Sequence, residues 1–481
     1  MAESKYDDKY QMTIGIECHV QLATKTKLFS PADNDARSAE PNSKLHPIDF
    51  ALPGMLPRLN HQAIKLAVRA GKALNAQVAN NSSFDRKHYF YPDLPKGYQT
   101  TQLHRPIIGA GSIEVPLADN KSTTVRIHHA HLEEDAGKLT HEPSGSLVDL
   151  NRAGTPLIEI VSQPDIHSPA EARAFAEELH KLMTYAGVTR GDLYHGNMRF
   201  DVNLSVAKKG DIELGKRTET KNLNSFRSVE KAAEYEFHRQ VELLEAGQPI
   251  IQETRGWLDD QQITVSQRSK ENAQDYRYMP DADIPPIVLT NEEIAELQAE
   301  VPKLPPQYRR EFSQLKVDAS VIGSLLQTRQ YAELASQVLN RDSSAATRVA
   351  NWLASSLNSD ETTESSELTL ASVEDLLTLS EMTAKAEISS NAASDLFNQL
   401  MSGASDPRLL ANQQNLLQVS DEAAIAAIVD QVLADPASQK SIDDIKAGKD
   451  KAVGYLVGQI MKQSRGKANP ALAQKLIKDR I

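Results

Sequence analysis

The sequence predicts an α+β fold in which a β-rich N-terminal region precedes two all-α segments. Three observations carry this. Apolar alternation with a period of two recurs up to about Thr290. Pro285, Pro286, Pro302, Pro305 and Pro306 then mark a boundary zone. Beyond it, strand signals give way to helical periodicity.

The first strand is read where Ile14, Ile16, Cys18, Val20 and Leu22 alternate with Gly15, Glu17, His19 and Gln21. One face is apolar and the other polar. Thr124–Glu134 and Leu157–Val161 are further strand candidates. Ser168-Pro-Ala-Glu171 is a capping box with proline at the first helical position. Phe175, Leu179, Leu182 and Met183 supply that helix's apolar positions, and Gly187 ends it. Met198, Phe200, Val202, Leu204 and Val206 repeat the strand pattern, and a helix follows from about Val229 to Gly247. Ser359–Glu367, acidic and rich in Ser and Thr, reads as an exposed loop. A last helical unit begins near Asp406. It has one stripe at Ile425, Ile428, Val429, Val432 and Leu433, and another at Val453, Leu456, Val457, Ile460 and Met461.

At 481 residues the chain suggests about three domains. Its 40% hydrophobic and 25% charged content excludes a wholly disordered chain. No apolar run reaches the ~18 residues of a membrane span. Met1–Gln11 resembles neither a signal peptide nor a transit peptide, so a cytoplasmic protein is expected. The single cysteine, Cys18, excludes an internal disulfide and a Cys-rich zinc site. Net charge is −12, yet from Ile445 to Ile481 nine basic residues face two acidic ones. Such a basic end on an acidic body suggests contact with a polyanion, although a solvated helical face would show the same charge.

The polar strand faces carry the candidate chemistry. Glu17 and His19 are two residues apart, so they share a face at about 7 Å. Asp201 and Asn203 repeat that arrangement. Glu133, Glu134 and Asp135 end the strand that bears His129 and His131. Arg217, Glu219 and Lys221 would share another face. Gathered carboxylates repel and need cations. Oxygen ligands with one imidazole and no thiolate favour Mg²⁺ or Mn²⁺ over structural zinc. Alternation alone fits ordinary solvated sheet faces equally well. The histidines at 128, 129 and 131 do not make a zinc site, because only His129 and His131 share a face. Gly210–Lys216 has phosphate-loop spacing, but Arg217 replaces the Ser or Thr that holds Mg²⁺, so a turn between strands is expected. His88–Tyr98, with its aromatics and prolines, is either a base-stacking loop or a rigid connector. Cys18 lies on an apolar face and suits an inert core residue better than a nucleophile.

Long blocks of this sequence resemble the GatB family, the B subunits of aspartyl/glutamyl-tRNA amidotransferases. They are Ile14–Leu22 (IGIECHVQL), Phe84–Tyr98 (FDRKHYFYPDLPKGY), Leu132–Lys138 (LEEDAGK), Asn151–Pro156 (NRAGTP), Met198–Asn203 (MRFDVN), Lys221–Phe226 (KNLNSF), Gln252–Trp257 (QETRGW) and Asp275–Pro280 (DYRYMP). Leu456–Lys462 (LVGQIMK) and Gly466–Pro470 (GKANP) resemble the family's tRNA-binding tail. The resemblance implies a cradle domain with a kinase-like site over 1–293, a helical domain over 294–405 and a YqeY-like tRNA-binding tail over 406–481. It implies Mg²⁺ ligands at Glu17, His19, Glu133, Glu134, Asp201 and Glu219, with Glu134 and Asp201 catalytic. Lys96, Lys138 and Lys221 become candidate ATP or phosphate contacts, and Lys462, Arg465 and Lys467 candidate tRNA contacts. Ser30, Ala32, His46 and Asp49 stand where many relatives carry a Cys-rich zinc knuckle, so no zinc is expected. Ile388–Ala393 lacks the glycine and basic residues expected of a tRNA contact. The paralogue GatE is a poorer match, since its motif reads His-Gln-Gln where this chain has His19-Val-Gln21.

The implied activity is that of an ATP-dependent carbon–nitrogen ligase with glutamine as amido donor. ATP phosphorylates the side-chain carboxylate of Glu-tRNA(Gln), Asp-tRNA(Asn) or both, and ammonia displaces phosphate. The implied partners are the amidase GatA, the small protein GatC and misacylated tRNA, with no membrane. A non-catalytic tRNA-binding scaffold is the alternative, and a free-standing Mg²⁺-dependent ligase for a small acid is a third reading.

Overall fold

In a computed structural model, residues 8–269, 275–357, 370–418, 422–446, 450–464 and 468–481 are described. The chain divides into two compact units, Met1–Pro305 and Pro306–Ile481. The expected loop at Ser359–Glu367 lies outside the described residues, as do Arg465 and Lys467.

The first unit is built on an eight-stranded sheet. Its strands are β1 (Tyr10–Gln21), β2 (Gly111–Pro116), β3 (Ser122–Glu134), β4 (Pro156–Ser162), β5 (Met198–Lys208), β6 (Thr218–Leu223), β7 (Glu253–Leu258) and β8 (Ile263–Ser269). Their order across the sheet is β8-β7-β6-β5-β1-β4-β3-β2. Every neighbouring pair is antiparallel except β6 and β7, which run parallel. The expected alternation holds along β1, whose residues are buried and half-buried in strict turn. Residues 209–217 connect β5 to β6 as an irregular turn with Gly210 at φ +92°, not as an anion cradle before a helix.

The apolar sheet face is covered by helices. α1 spans His61–Ala73, α2 Pro169–Tyr185 and α3 Phe226–Glu245. Ser168 caps α2 by accepting from the Glu171 N–H. The Glu171 carboxylate reaches back to the His167 N–H, one residue before the cap. Val188 N–H bonds Met183 O and Gly187 N–H bonds Thr184 O, with Gly187 at φ +68°. This is the closing motif that needs a left-handed residue after the helix. Ile14, Ile16, Cys18, Phe200, Val202 and Ile160 meet Phe175, Leu179, Val229 and Phe237 in one core. Each fully buried side chain of this kind contributes ~1.5–3 kcal/mol. The helices on one face leave the other free for polar side chains. A hairpin of Asp85–His88 and Tyr98–Thr101 completes the surroundings of that polar face.

Cys18 is fully buried, and burial pushes its thiol well above the usual range, as expected of a core residue. In the segment from Phe29 to Pro57, Asp49 forms a buried ion pair with Lys27 at 3.4 Å. His88–Tyr98 starts as a strand and turns at Gly97, with Tyr89, Tyr91 and Tyr276 in edge contacts.

Every named element of the second unit among the described residues is a helix, with one isolated antiparallel bridge between Ile388 and Leu417. Helices Glu422–Ala434, Val453–Gln463 and Pro470–Lys478 share a core formed by Ile425, Val429, Val432, Leu456 and Ile460, the two stripes read from the sequence. Arg480, two residues beyond the last helix, bonds Asp430 of the first of the three at 2.6 Å. Lys462 is exposed in the last turn of its helix.

Candidate functional site

The polar face of the sheet converges on one place because the strand registers align. Glu17 of β1 stands opposite Asp201 of β5 and Val161 of β4. His19 stands opposite Arg199 and Glu159, and Glu159 in turn opposite His131 of β3. Asn203 stands opposite Glu219 of β6. Four strands, β3, β4, β5 and β6, therefore bring side chains to those of β1.

Two groups of metal-ligand atoms result, one of His19, Glu133 and Glu159, the other of Glu17, Asp201 and Glu219. Within each group the atoms lie within 4.8 Å of one another. His19 links the two. Its Nδ1 is 3.9 Å from Glu133 and 3.8 Å from Glu159, and its Nε2 is 3.9 Å from Asp201. These groups line a cavity of about 630 Å³, together with the cations Lys87, Arg199 and Lys221.

Hydrogen bonds fix the carboxylates. Lys221 Nζ donates to Asp201 at 2.8 Å and pairs with Glu219 at 2.9 Å. The Asn222 N–H donates to Asp201, Asn203 Nδ2 to Glu17, and the Thr254 hydroxyl to Glu219. Burial, then Glu159, Glu219 and Asp201, pushes the Glu17 carboxyl above the usual range. Burial acts in the same direction on Asp201, but Lys221 and His19 outweigh it and hold that carboxyl low. Glu133, also buried, is held below the usual range by His131, Lys87 and His19. Carboxylates kept ionised beside one that resists ionisation form a site short of positive charge.

The donors fit a hard divalent cation. Five carboxylates and one imidazole supply oxygen and nitrogen, with no thiolate. His19 Nδ1 is buried and has no hydrogen-bond partner, as a nitrogen kept for a ligand would be.

Of the residues predicted from sequence, Glu17, His19, Glu133, Asp201, Glu219 and Lys221 come together. Glu134 does not join either group. Successive strand residues point to opposite faces, and Glu134 is bonded instead by Lys96 and by the Thr100 N–H at 2.9 Å. Lys96 thus sits with Glu134 beside a small separate cavity. Lys138 lines a third cavity with Arg152 and Arg190. Sequence reasoning missed Glu159, Lys87 and Arg199. Glu159 lies between Leu157 and Val161 on its face, so alternation gave no sign of it. Lys87 and Arg199 stood inside quoted motifs, where a cation beside gathered acids was a usable signal. His131, 7% exposed, lies 3.6 Å from Glu159 and 3.9 Å from Glu133.

Residues 12–295 match the family model described as the GatB/GatE catalytic domain, and residues 332–481 match the GatB domain model. The chain is 44% identical over 482 residues to a protein of Alcanivorax borkumensis named as the B subunit of an aspartyl/glutamyl-tRNA(Asn/Gln) amidotransferase, covering 98% of this chain and 99% of that one. Proteins of the same name from Saccharophagus degradans and Carboxydothermus hydrogenoformans are 44% and 40% identical, with the same coverage.

Proposed function

The chain belongs to the GatB family, the B subunits of tRNA-dependent amidotransferases, and from that premise we propose that it activates a tRNA-borne carboxylate with ATP and converts it to an amide. The substrates are Glu-tRNA(Gln), Asp-tRNA(Asn) or both. The observation that carries this reading is the pair of ligand groups meeting at His19.

A carboxylate is a poor electrophile because oxide cannot leave. Transfer of the terminal phosphoryl group of ATP to the side-chain oxygen gives an acyl phosphate and ADP. Ammonia then attacks the carbonyl carbon, and the C–O bond to phosphate breaks. The product is the amide with inorganic phosphate, and the proton from ammonia passes to solvent or a nearby base. Positioning and charge neutralisation are the protein's main tasks in such transfers. Glu17, His19, Glu133, Glu159, Asp201 and Glu219 would hold Mg²⁺. When bound, the ion would neutralise phosphate oxygens. Lys221 keeps Asp201 ionised and orients it, and Lys87 and Arg199 supply positive charge at the cavity wall.

In this reading the ammonia comes from another chain, and Cys18, the one thiol of this chain, is fully buried and offers no thiolate to attack glutamine. The partners are then an amidase, GatA, which releases ammonia from glutamine, and the small protein GatC. Residues 1–293 carry the chemistry, 294–405 connect, and 406–481 grip the tRNA through Lys462, Arg465 and Lys467. No helix among the described residues is long and apolar enough to cross a membrane, and the working compartment is the cytoplasm, where translation occurs. The test is an assay of the chain with its partners on misacylated tRNA, ATP and glutamine. Amide formation with tRNA-stimulated ATP turnover is expected. Amide formation that survives Asp201→Asn would point to a scaffold instead.

A further inference from the structure

β6 is irregular at one point, and the irregularity lies beside Asp201. Phe200 of β5 pairs with Leu223 of β6, and Val202 pairs with Thr220. Between these pairs β5 has one residue, Asp201, and β6 has two, Lys221 and Asn222. Two residues against one make a β-bulge, which bends a strand and re-aims its side chains. Thr218 and Thr220 are buried, so unbroken alternation would bury residue 222 and turn Leu223 to the polar face. The extra residue resets the count. Asn222 is exposed, and Leu223 joins Phe200 in the core.

Both bulge residues bind the single residue opposite them. The Asn222 N–H donates to Asp201 Oδ1 and Lys221 Nζ donates to Oδ2, each at 2.8 Å. In a regular ladder that N–H would bond the backbone of the neighbouring strand. Here it is given to a side chain. The backbone conformation of Asn222 accompanies this exchange. Its φ is +61°, in the left-handed region. Among the described residues it is the only non-glycine residue inside a strand with a positive φ. Asparagine is among the few residues enriched in that region. Its carboxamide lines the metal-ligand cavity but makes no hydrogen bond to another described residue. Unusual backbone of this kind persists where the surroundings fix it, and it clusters at functional sites.

We infer that Asn222 is a positioning residue for the group of Glu17, Asp201 and Glu219, and that it acts through its left-handed backbone rather than through its carboxamide. This rests on the proposed function, which gives Asp201 to Mg²⁺. One oxygen of Asp201 is held by the Asn222 amide and the other by Lys221, so the carboxylate is fixed against rotation. Each oxygen keeps a further lone pair for a cation. Partners of this kind orient a metal ligand without touching the metal. A backbone that left the left-handed region would withdraw the N–H from Asp201 and move Lys221 with it.

The test is Mn²⁺ titration of the full chain carrying Asn222→Gly, Asn222→Ala or Asn222→Val, with urea midpoints measured beside it. Glycine has no Cβ and keeps the left-handed backbone, so Asn222→Gly should bind Mn²⁺ within about twofold of wild type. Valine is a true outlier there, and Asn222→Val should lose roughly tenfold, as removal of an outer-shell partner does. Asn222→Ala should fall between them, at roughly threefold. It decides the matter if the valine variant does not fold, because Ala51 and Ala386 already hold such a backbone in this chain. Affinity should thus follow backbone tolerance and ignore side-chain polarity. If glycine loses as much as alanine, the carboxamide is the contact and the inference is wrong. If all folded variants bind Mn²⁺ like wild type while the urea midpoints of alanine and valine fall, the bulge serves folding only and the inference is again wrong. A wild type that binds no Mn²⁺ would overturn the proposed function and this inference together. Wild-type binding with a series that ignores the backbone overturns the inference alone.

Discussion

Glu17 and Asp201 stand directly opposite one another across β1 and β5, two carboxylates in one group of ligand atoms. Like charges so placed destabilise a sheet by a few tenths to about 1 kcal/mol. Lys221 on Asp201 and Asn203 on Glu17 offset part of that cost. What remains is the signature of a site organised for a cation rather than for stability.

Glu17→Gln should therefore stabilise the metal-free protein while weakening its hold on metal. The glutamine keeps an acceptor for Asn203 and removes one charge. Because the Glu17 carboxyl is raised, its ionisation opposes folding. The wild-type protein loses stability as pH rises from the ordinary carboxylate value through the raised one. The variant's gain of about 0.5–1 kcal/mol should be present at neutral pH and vanish in acid. Denaturant midpoints at several pH values read the first effect. Mn²⁺ titration should show at least a roughly tenfold loss of affinity.

Glu134 and Asp201 separate in the same titration. Asp201→Asn should weaken Mn²⁺ binding, whereas Glu134→Gln should leave it unchanged, because Glu134 is held by Lys96 and Thr100 outside both groups. Equal losses in the two variants would return Glu134 to the metal.

Glu236 is a structural carboxylate in the interior. It is 1% exposed, accepts from Thr218, Arg239 and Thr264, and pairs with Arg255 at 3.0 Å. Glu236→Ala should cost about 3–5 kcal/mol, because Arg255, itself 8% exposed, loses a buried partner. Burial would raise this carboxyl, but Arg239, Thr264 and Arg255 hold it low. Its contribution is therefore complete above the ordinary glutamate value and is lost as pH falls through the lowered one. Urea unfolding across the acid range checks both statements.

Neutralising Lys462, Arg465 and Lys467 together should weaken tRNA binding and flatten its salt dependence by about two in log–log slope, from ~0.7–0.9 per phosphate contact. Metal affinity should not change, because every ligand lies before Thr220. Binding curves that coincide with wild type at all salt concentrations would make the tail a solvated helical face.

The backbone period determined much of this protein locally. The alternation along β1 and β5, the cap at Ser168, the stop at Gly187 and the stripes of the last helices were legible because strand and helix periods repeat within one segment. The family blocks were legible for the same reason, as uninterrupted strings. The adjacent pair Glu133 and Glu134 marks the limit. Both ended one strand, and the string could not say which faced the ligands.

Only tertiary structure decided the site. Asn203 reaches Glu17 across 186 positions, and Glu159 joins His19 because β4 pairs with β1 in one register. A shift of one residue would turn Glu159 to the apolar face. Register between distant strands depends on how the whole apolar face packs against α2 and α3. Lys96, Lys138 and Lys221, which looked alike in sequence, were therefore sorted by the fold into three different cavities.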